Sequence, residues 1–273
     1  MFGAKNLLVD IGGATIPCAV FGKGKKYHYY IFSKGGFTNG LKELAEKGYP
    51  SGTLVVADKQ SAGKGRRGRS WESPSGSGIF MTLMIKPEIN PNNASMLTLV
   101  AALAVARAIS EVTKLNAQIK WPNDIVINGK KICGILTEMS AQFDYINHIV
   151  IGIGINVHNE TFPEEINHIA SSLMLESNGG HFHRADIIEK TLEYFEVYYE
   201  QYLETEDLSK LVPEYNSLLV NMQKEVKVLD PKDPFEGKAM GITKSGELIV
   251  DTWESRKLVS SGEVSVRGIY GYV

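Results

Sequence analysis

The chain has 273 residues, 43% of them hydrophobic and 22% charged, with a net charge of −2. That balance excludes a disordered chain, a collagen-like fibre and a coiled coil, and it lacks the basic excess of a dedicated nucleic-acid binder. Two cysteines, Cys18 and Cys133, exclude a disulfide scaffold and fit a cytoplasmic protein.

Elements follow in chain order. Leu7–Val9 and Ala19–Phe21 read as short strands around Gly12-Gly13. Residues 27–33, rich in aromatics, suit a strand, and Thr38 reads as the N-cap of a helix that stops at Gly48. Thr53–Ala57 and Gly78–Ile85 are apolar runs expected as buried strands. Residues 94–113, rich in Ala and Leu, predict a central buried helix capped by Asn92 or Asn93. The longest apolar-rich stretch, Met96–Ile109, is shorter than the ~20 residues of a membrane span, so no membrane partner is expected. Ile125–Ile127, Gly134–Met139 and His148–Val157 predict three more strands. Arg184–Glu204 predicts a long helix with an aromatic face, and Leu208–Leu219 a second one weakened by Pro213. From Glu225 five short strand runs recur in about 50 residues, the pattern of a small β-barrel. The expected division is an extension over 1–26, a larger domain over 27–220 and a small one over 221–273.

Four segments carry chemistry. Gly63-Lys64-Gly65-Arg66-Arg67-Gly68-Arg69 alternates glycines with cations. Glycine lets backbone N–H groups approach an anion, and arginine adds forked donors. The segment is either a phosphate-wrapping loop or a solvated basic turn. Lys120-Trp121-Pro122-Asn123-Asp124 sets a cation, an amide and a carboxylate around a turn. Asp124 would suit Mg²⁺ or a ribose, and Lys120 or Asn123 a phosphate; a capped turn is the plain alternative. Gly129–Glu138 places Lys131 at the mouth of a buried strand, over a reacting carboxylate or at an ordinary hairpin tip. Gly152-Ile153-Gly154-Ile155-Asn156 has glycines within a strand, the mark of close approach by a ligand or another backbone.

In this order, GKGRRGR, KWPND, GKKICGIL-x-E, IGIGIN and a final GEVSVR, the chain resembles the biotin protein ligases from about Thr38 to Arg267. The resemblance implies an α+β fold with a central mixed sheet flanked by helices and a C-terminal SH3-like barrel. It implies activation of biotin by MgATP to biotinyl-5′-AMP, then transfer to a lysine of a biotin carboxyl carrier domain. Arg66 is implied to contact the biotin carboxylate and the phosphate, and Lys131 to bridge the two. Thr38, Asn39, Gln60, Gly63, Lys64, Gly65, Gly134, Gly154 and Ile155 are implied around biotin. Arg67, Arg69, Trp71, Lys120, Asn123, Asp124 and Asn156 are implied around ATP, with Asp124 also touching Mg²⁺ and aiding lysine deprotonation. Glu263 and Arg267 resemble C-terminal residues that communicate with ATP. A lipoate-type ligase, or a biotin binder impaired in catalysis, are the alternatives.

Two features depart from the family. Its usual Asp-Ser-Thr-Asn is Gly36-Phe37-Thr38-Asn39 here. Phe37 cannot donate the hydroxyl bond to the biotin ureido carbonyl, a loss of about 1–3 kcal/mol. Activity with weakened biotin binding is expected, and Phe37→Ser should tighten biotin in calorimetry. Residues 1–26 show no helix-turn-helix pattern, so the form without a DNA-binding domain is expected. Asp10–Thr15 is loosely similar to the phosphate loop of actin-like kinases, but a β-hairpin is the expectation there. Some members dimerise by a sheet edge; no sequence feature decides whether this chain forms a homodimer.

Overall fold

The computed structural model describes residues 10–11, 14–15, 28–30, 46, 48–58, 60–64, 70–73, 75–262, 264–269 and 271–273. The strands expected at 7–9 and 19–21 lie outside these, as does the helix expected from Thr38 except at its end, where Glu46 is helical and Gly48 is a turn at positive φ. In chain order come β1 (Asp10–Ile11), β2 (Ala14–Thr15), β3 (His28–Tyr30), β4 (Thr53–Ala57), β5 (Gln60–Lys64), β6 (Ser70–Ser73) and β7 (Gly78–Ile85). Then follow α1 (Leu97–Thr113), β8 (Gln118–Lys120), β9 (Asp124–Ile127), β10 (Lys130–Ala141) and β11 (Ile146–Asn156). After α2 (Leu173–Glu176), α3 (Arg184–Thr205) and α4 (Val212–Leu218) come β12 (Glu225–Leu229), β13 (Phe235–Ile242), β14 (Leu248–Asp251), β15 (Arg256–Val259) and β16 (Ser265–Gly268).

The larger sheet has seven strands in the order β3-β4-β7-β11-β10-β9-β8. Only β3 and β4 run parallel; each other neighbouring pair is antiparallel. The smaller sheet, β15-β14-β13-β12-β16, is antiparallel throughout and forms the SH3-like C-terminal part. Together they make the mixed α+β fold. β1 and β2 pair as a hairpin, Asp10 opposite Thr15.

Period-2 alternation sorts the larger sheet's residues between two faces. Ile149, Ile151, Ile153 and Ile155 of β11 and Ile79, Met81, Leu83 and Ile85 of β7 enter the core with α1. Eleven of the 17 residues of α1 are buried, as its Ala/Leu composition predicts. Its approach differs from expectation. Pro91–Met96 is a 3₁₀ turn, and the cap is Asn90, whose side chain accepts from the Asn92 N–H. Proline suits that first turn because it has no N–H to leave unpaired. The helical stretch Pro91–Thr113 is thus longer than the apolar run read from sequence, and its mean hydropathy of 1.6 would serve a span. Its burial between the sheet and α3 makes it a core helix. On α3 the expected aromatic face is present: Phe195, Tyr198, Tyr199 and Tyr202 are buried. Tyr202 donates its hydroxyl to the Asn93 carbonyl at 2.9 Å. Pro213 sits in the first turn of α4, so that helix starts at Val212 rather than Leu208.

A hydrogen bond joins the turn between β8 and β9 to the turn between β13 and β14. Trp121 is buried, and its indole Nε1 donates to the Gly246 carbonyl at 3.0 Å. Trp121→Phe removes that donor and leaves the carbonyl unpaired. A loss of about 1–2 kcal/mol is expected, read as a lower urea midpoint at unchanged m.

Candidate active site

Register aligns one row of residues across five strands. Gly134 of β10 lies opposite Asp124 of β9 on one side and Gly154 of β11 on the other. Gly154 lies opposite Phe80 of β7, and Phe80 opposite Ala57 of β4. The row points away from α1. Its two glycines leave a floor without side chains. A Cβ added at Gly154 would meet nothing within 4 Å, whereas one at Gly134 would meet Lys131 Nζ at 3.2 Å.

Lys131 therefore lies across Gly134, and its ammonium is 2.6 Å from Asp124 Oδ1. A β-bulge makes this possible. The β9–β10 register shifts between Lys131 and Cys133, so Ile132 and Cys133 both enter the core. Strict alternation would have put Lys131 on the face opposite Gly134; the extra residue returns it to the same face. The start of β10 is pinned from its other side. Lys131 N–H donates to the Ile169 carbonyl at 2.7 Å, and Ser171 N–H donates to the Lys131 carbonyl at 2.9 Å. The Asn156 amide donates to the Ser171 carbonyl at 3.0 Å, which fixes Asn156 to the same segment.

Asp124 is enclosed. Burial alone would raise its carboxyl, but the Lys131 and Lys120 ammonium charges and bonds from Lys131 and Tyr272 outweigh that. The carboxyl is held below the ordinary carboxylate range. Oδ2 accepts a hydrogen bond from the Tyr272 hydroxyl. The ring of the same tyrosine lies under the Lys120 ammonium, 4.4 Å from it. Lys120, Asp124, Lys131 and Tyr272 thus form one charged cluster beside the glycine floor.

The structure changes the part of some expected residues. Asn123 uses its amide on the Ile135 carbonyl at 2.8 Å, and its own carbonyl accepts from the Ile135 N–H at 2.9 Å. It braces the turn against β10. Its turn also borders a cleft of about 300 Å³ whose lining includes Thr98, Pro122, Leu136 and Ser261. Ile155 does not line the floor: its side chain is fully buried on the α1 face, since adjacent strand residues point to opposite sides. Cys133 is also core, its thiol pushed far up by burial, which fits a packing role and not a nucleophile.

Gln60, Gly63 and Lys64 lie on β5 and Trp71 on β6, which pair with Gly63 opposite Trp71. In sequence the two strands flank Gly65, Arg66, Arg67 and Arg69; these four, with Phe37, Thr38, Asn39 and Glu263, lie outside the described residues. Arg267 is exposed on β16, opposite Lys227. His181 meets His158, Nδ1 to Nε2 at 2.8 Å. Two contacts were not foreseen. Arg184 at the start of α3 binds Asp58 at 2.8 Å and the Gly78 carbonyl at 2.9 Å, tying β4 to β7. Tyr272 joins Asp124 across 148 positions of sequence, a separation with no local signal.

The Biotin/lipoate A/B protein ligase family model matches residues 35–156, and the biotin protein ligase C-terminal domain model matches 224–267. The bifunctional ligase/repressor BirA of Bacillus spizizenii is 41% identical over 226 residues, covering 82% of this chain and 69% of that protein. The chain belongs to the biotin protein ligase family. A second relative in the family, the biotin–[acetyl-CoA-carboxylase] ligase of Mycobacterium tuberculosis, is 29% identical over 241 residues, covering 86% of this chain and 87% of that one. The structure of the biotin protein ligase from Aquifex aeolicus in complex with biotin and ATP superposes with a TM-score of 0.76 at 30% identity. That match covers 88% of this chain and 98% of the Aquifex chain.

Proposed function

We propose that this chain is an ATP-dependent biotin–protein ligase that works in two steps. A biotin carboxylate oxygen attacks the α-phosphorus of MgATP; the bond to the bridging oxygen breaks and pyrophosphate leaves. The neutral ε-amine of a carrier lysine then attacks the acyl carbon of biotinyl-5′-AMP, AMP leaves with the bond electrons, and the amine's proton passes to solvent. The observation that carries this reading is Lys131 laid across a side-chain-free floor, its charge beside the row where a flat ligand would end.

Such chemistry needs charge neutralisation and alignment more than covalent help. Lys131 supports negative charge shared between the carboxylate and the α-phosphate. Gly154 and Gly134 give the ring system room. Arg66, Arg67 and Arg69 gather the phosphates, and Asn156 and Trp71 flank the nucleoside. Among the described residues no cluster of three His, Cys, Asp or Glu side chains could hold a metal. Both Asp124 oxygens are already engaged, so Mg²⁺ is read as part of the MgATP substrate. A carboxylate held below its ordinary range is a poor general base. Asp124 is therefore assigned to orient the incoming amine rather than to remove its proton. Residues 27–220 carry the catalysis and 221–273 the small barrel, and the acceptor is a biotin carboxyl carrier domain. Exchange of labelled pyrophosphate into ATP tests the first step. It should depend on biotin and fail with lipoate; exchange with lipoate alone would assign the chain to the lipoate branch.

A further inference from the structure

The cluster holds one feature that the ligase reading leaves unused. Lys131 has two demands on it: it pairs with Asp124 now, and the reaction needs its charge at the reacting groups. Asp124 is largely enclosed, its side chain 13% exposed, and an enclosed carboxylate that loses its cation is left uncompensated unless another donor meets it. Tyr272 sits where such a donor is wanted. Its hydroxyl is on Oδ2, while Lys131 is closest to Oδ1, and its ring holds Lys120 nearby.

The segment carrying Tyr272 is seated by design of its neighbours. A Cβ at Gly268 would come within 2.1 Å of the Val273 carbonyl oxygen, and one at Gly129 within 3.0 Å of Val273 Cγ2. Only glycine at Gly268 lets the segment pass so close. The turn between β9 and β10 and the end of β16 thus form one seat, and Tyr272 is aimed from it at Asp124.

We propose that Tyr272 is a positioning residue of the reaction: it holds the Asp124 carboxylate so that Lys131 can share its charge with the reacting groups. This rests on the ligase reading. Tyr272→Phe keeps the ring under Lys120 and the packing of Val273, and removes only the hydroxyl. The expected result is a fall of about tenfold in kcat for biotin-dependent pyrophosphate release, with KM for biotin and for ATP within about twofold. A structural role alone would move thermal stability and leave this split absent. An unchanged kcat, or a raised KM with kcat intact, overturns the proposal. A second measurement needs no activity. Competitive acetylation with trace acetic anhydride, read by mass spectrometry against the exposed Lys244, reports how tightly Lys131 is held. Lys131 should be acetylated more slowly in Tyr272→Phe than in the unaltered chain. Equal rates overturn the proposal even if the unaltered chain releases no pyrophosphate, a result that would separately remove the ligase reading.

Discussion

Lys131→Met is expected to lower biotin-dependent pyrophosphate release by about 100- to 1,000-fold, the usual cost of deleting a preorganised charge in an enclosed site. The side chain of Lys131 is only 22% exposed and that of Asp124 13%, so solvent cannot replace the lost ammonium. The same change strips Asp124 of its nearest cation. With Lys120 and Tyr272 still present, a stability loss of about 1–3 kcal/mol is expected, below the full cost of an unpaired buried charge. The double variant Lys131→Met with Asp124→Asn should regain most of that stability and none of the activity. Urea melts and pyrophosphate release on both variants separate the two effects. A Lys131→Met chain that retains more than a tenth of the rate would contradict the assignment.

Gly154→Val should weaken biotin binding by about 10- to 100-fold, as filling a fitted space does. The fold should not suffer. No atom lies within 4 Å of the added Cβ, and valine favours a strand. Calorimetry should show ATP binding intact and the thermal midpoint unchanged. Gly268→Ala is the contrasting control, since its Cβ would strike the Val273 backbone and the loss there should be of stability. Ordinary biotin affinity in Gly154→Val would show that the open floor is not the biotin slot.

The elements that sequence foretold best are those that one local pattern decides. The isoleucines of β11 alternate, the Ala/Leu run of α1 is buried all round, and five short runs after Glu225 close one sheet. Glycine within a strand often marks a close approach; Lys131 does lie over Gly134, whereas a Cβ at Gly154 would meet nothing within 4 Å. What stayed hidden needs distances along the chain that no local pattern spans. The bulge at Ile132 decides which face Lys131 takes, and its trace in the sequence is one residue too many. The resemblance implies Asn123 near ATP, and its contact with the Ile135 carbonyl, 12 positions away, has no mark in the local sequence. Ile155 was grouped with its glycine neighbour, and alternation sends it to the core. Tyr272 and Arg184 matter through partners more than 100 positions away, Asp124 and Asp58.

The proposed function requires one chain both to activate biotin and to hand it to a carrier lysine. The most direct measurement incubates it with MgATP, radiolabelled biotin and an isolated biotin carboxyl carrier domain, with a carrier whose acceptor lysine is changed to alanine beside it. Label should appear on the intact carrier alone, with one AMP released per biotin attached. Labelled adenylate that never reaches the carrier, or transfer from lipoate but not from biotin, would contradict the account.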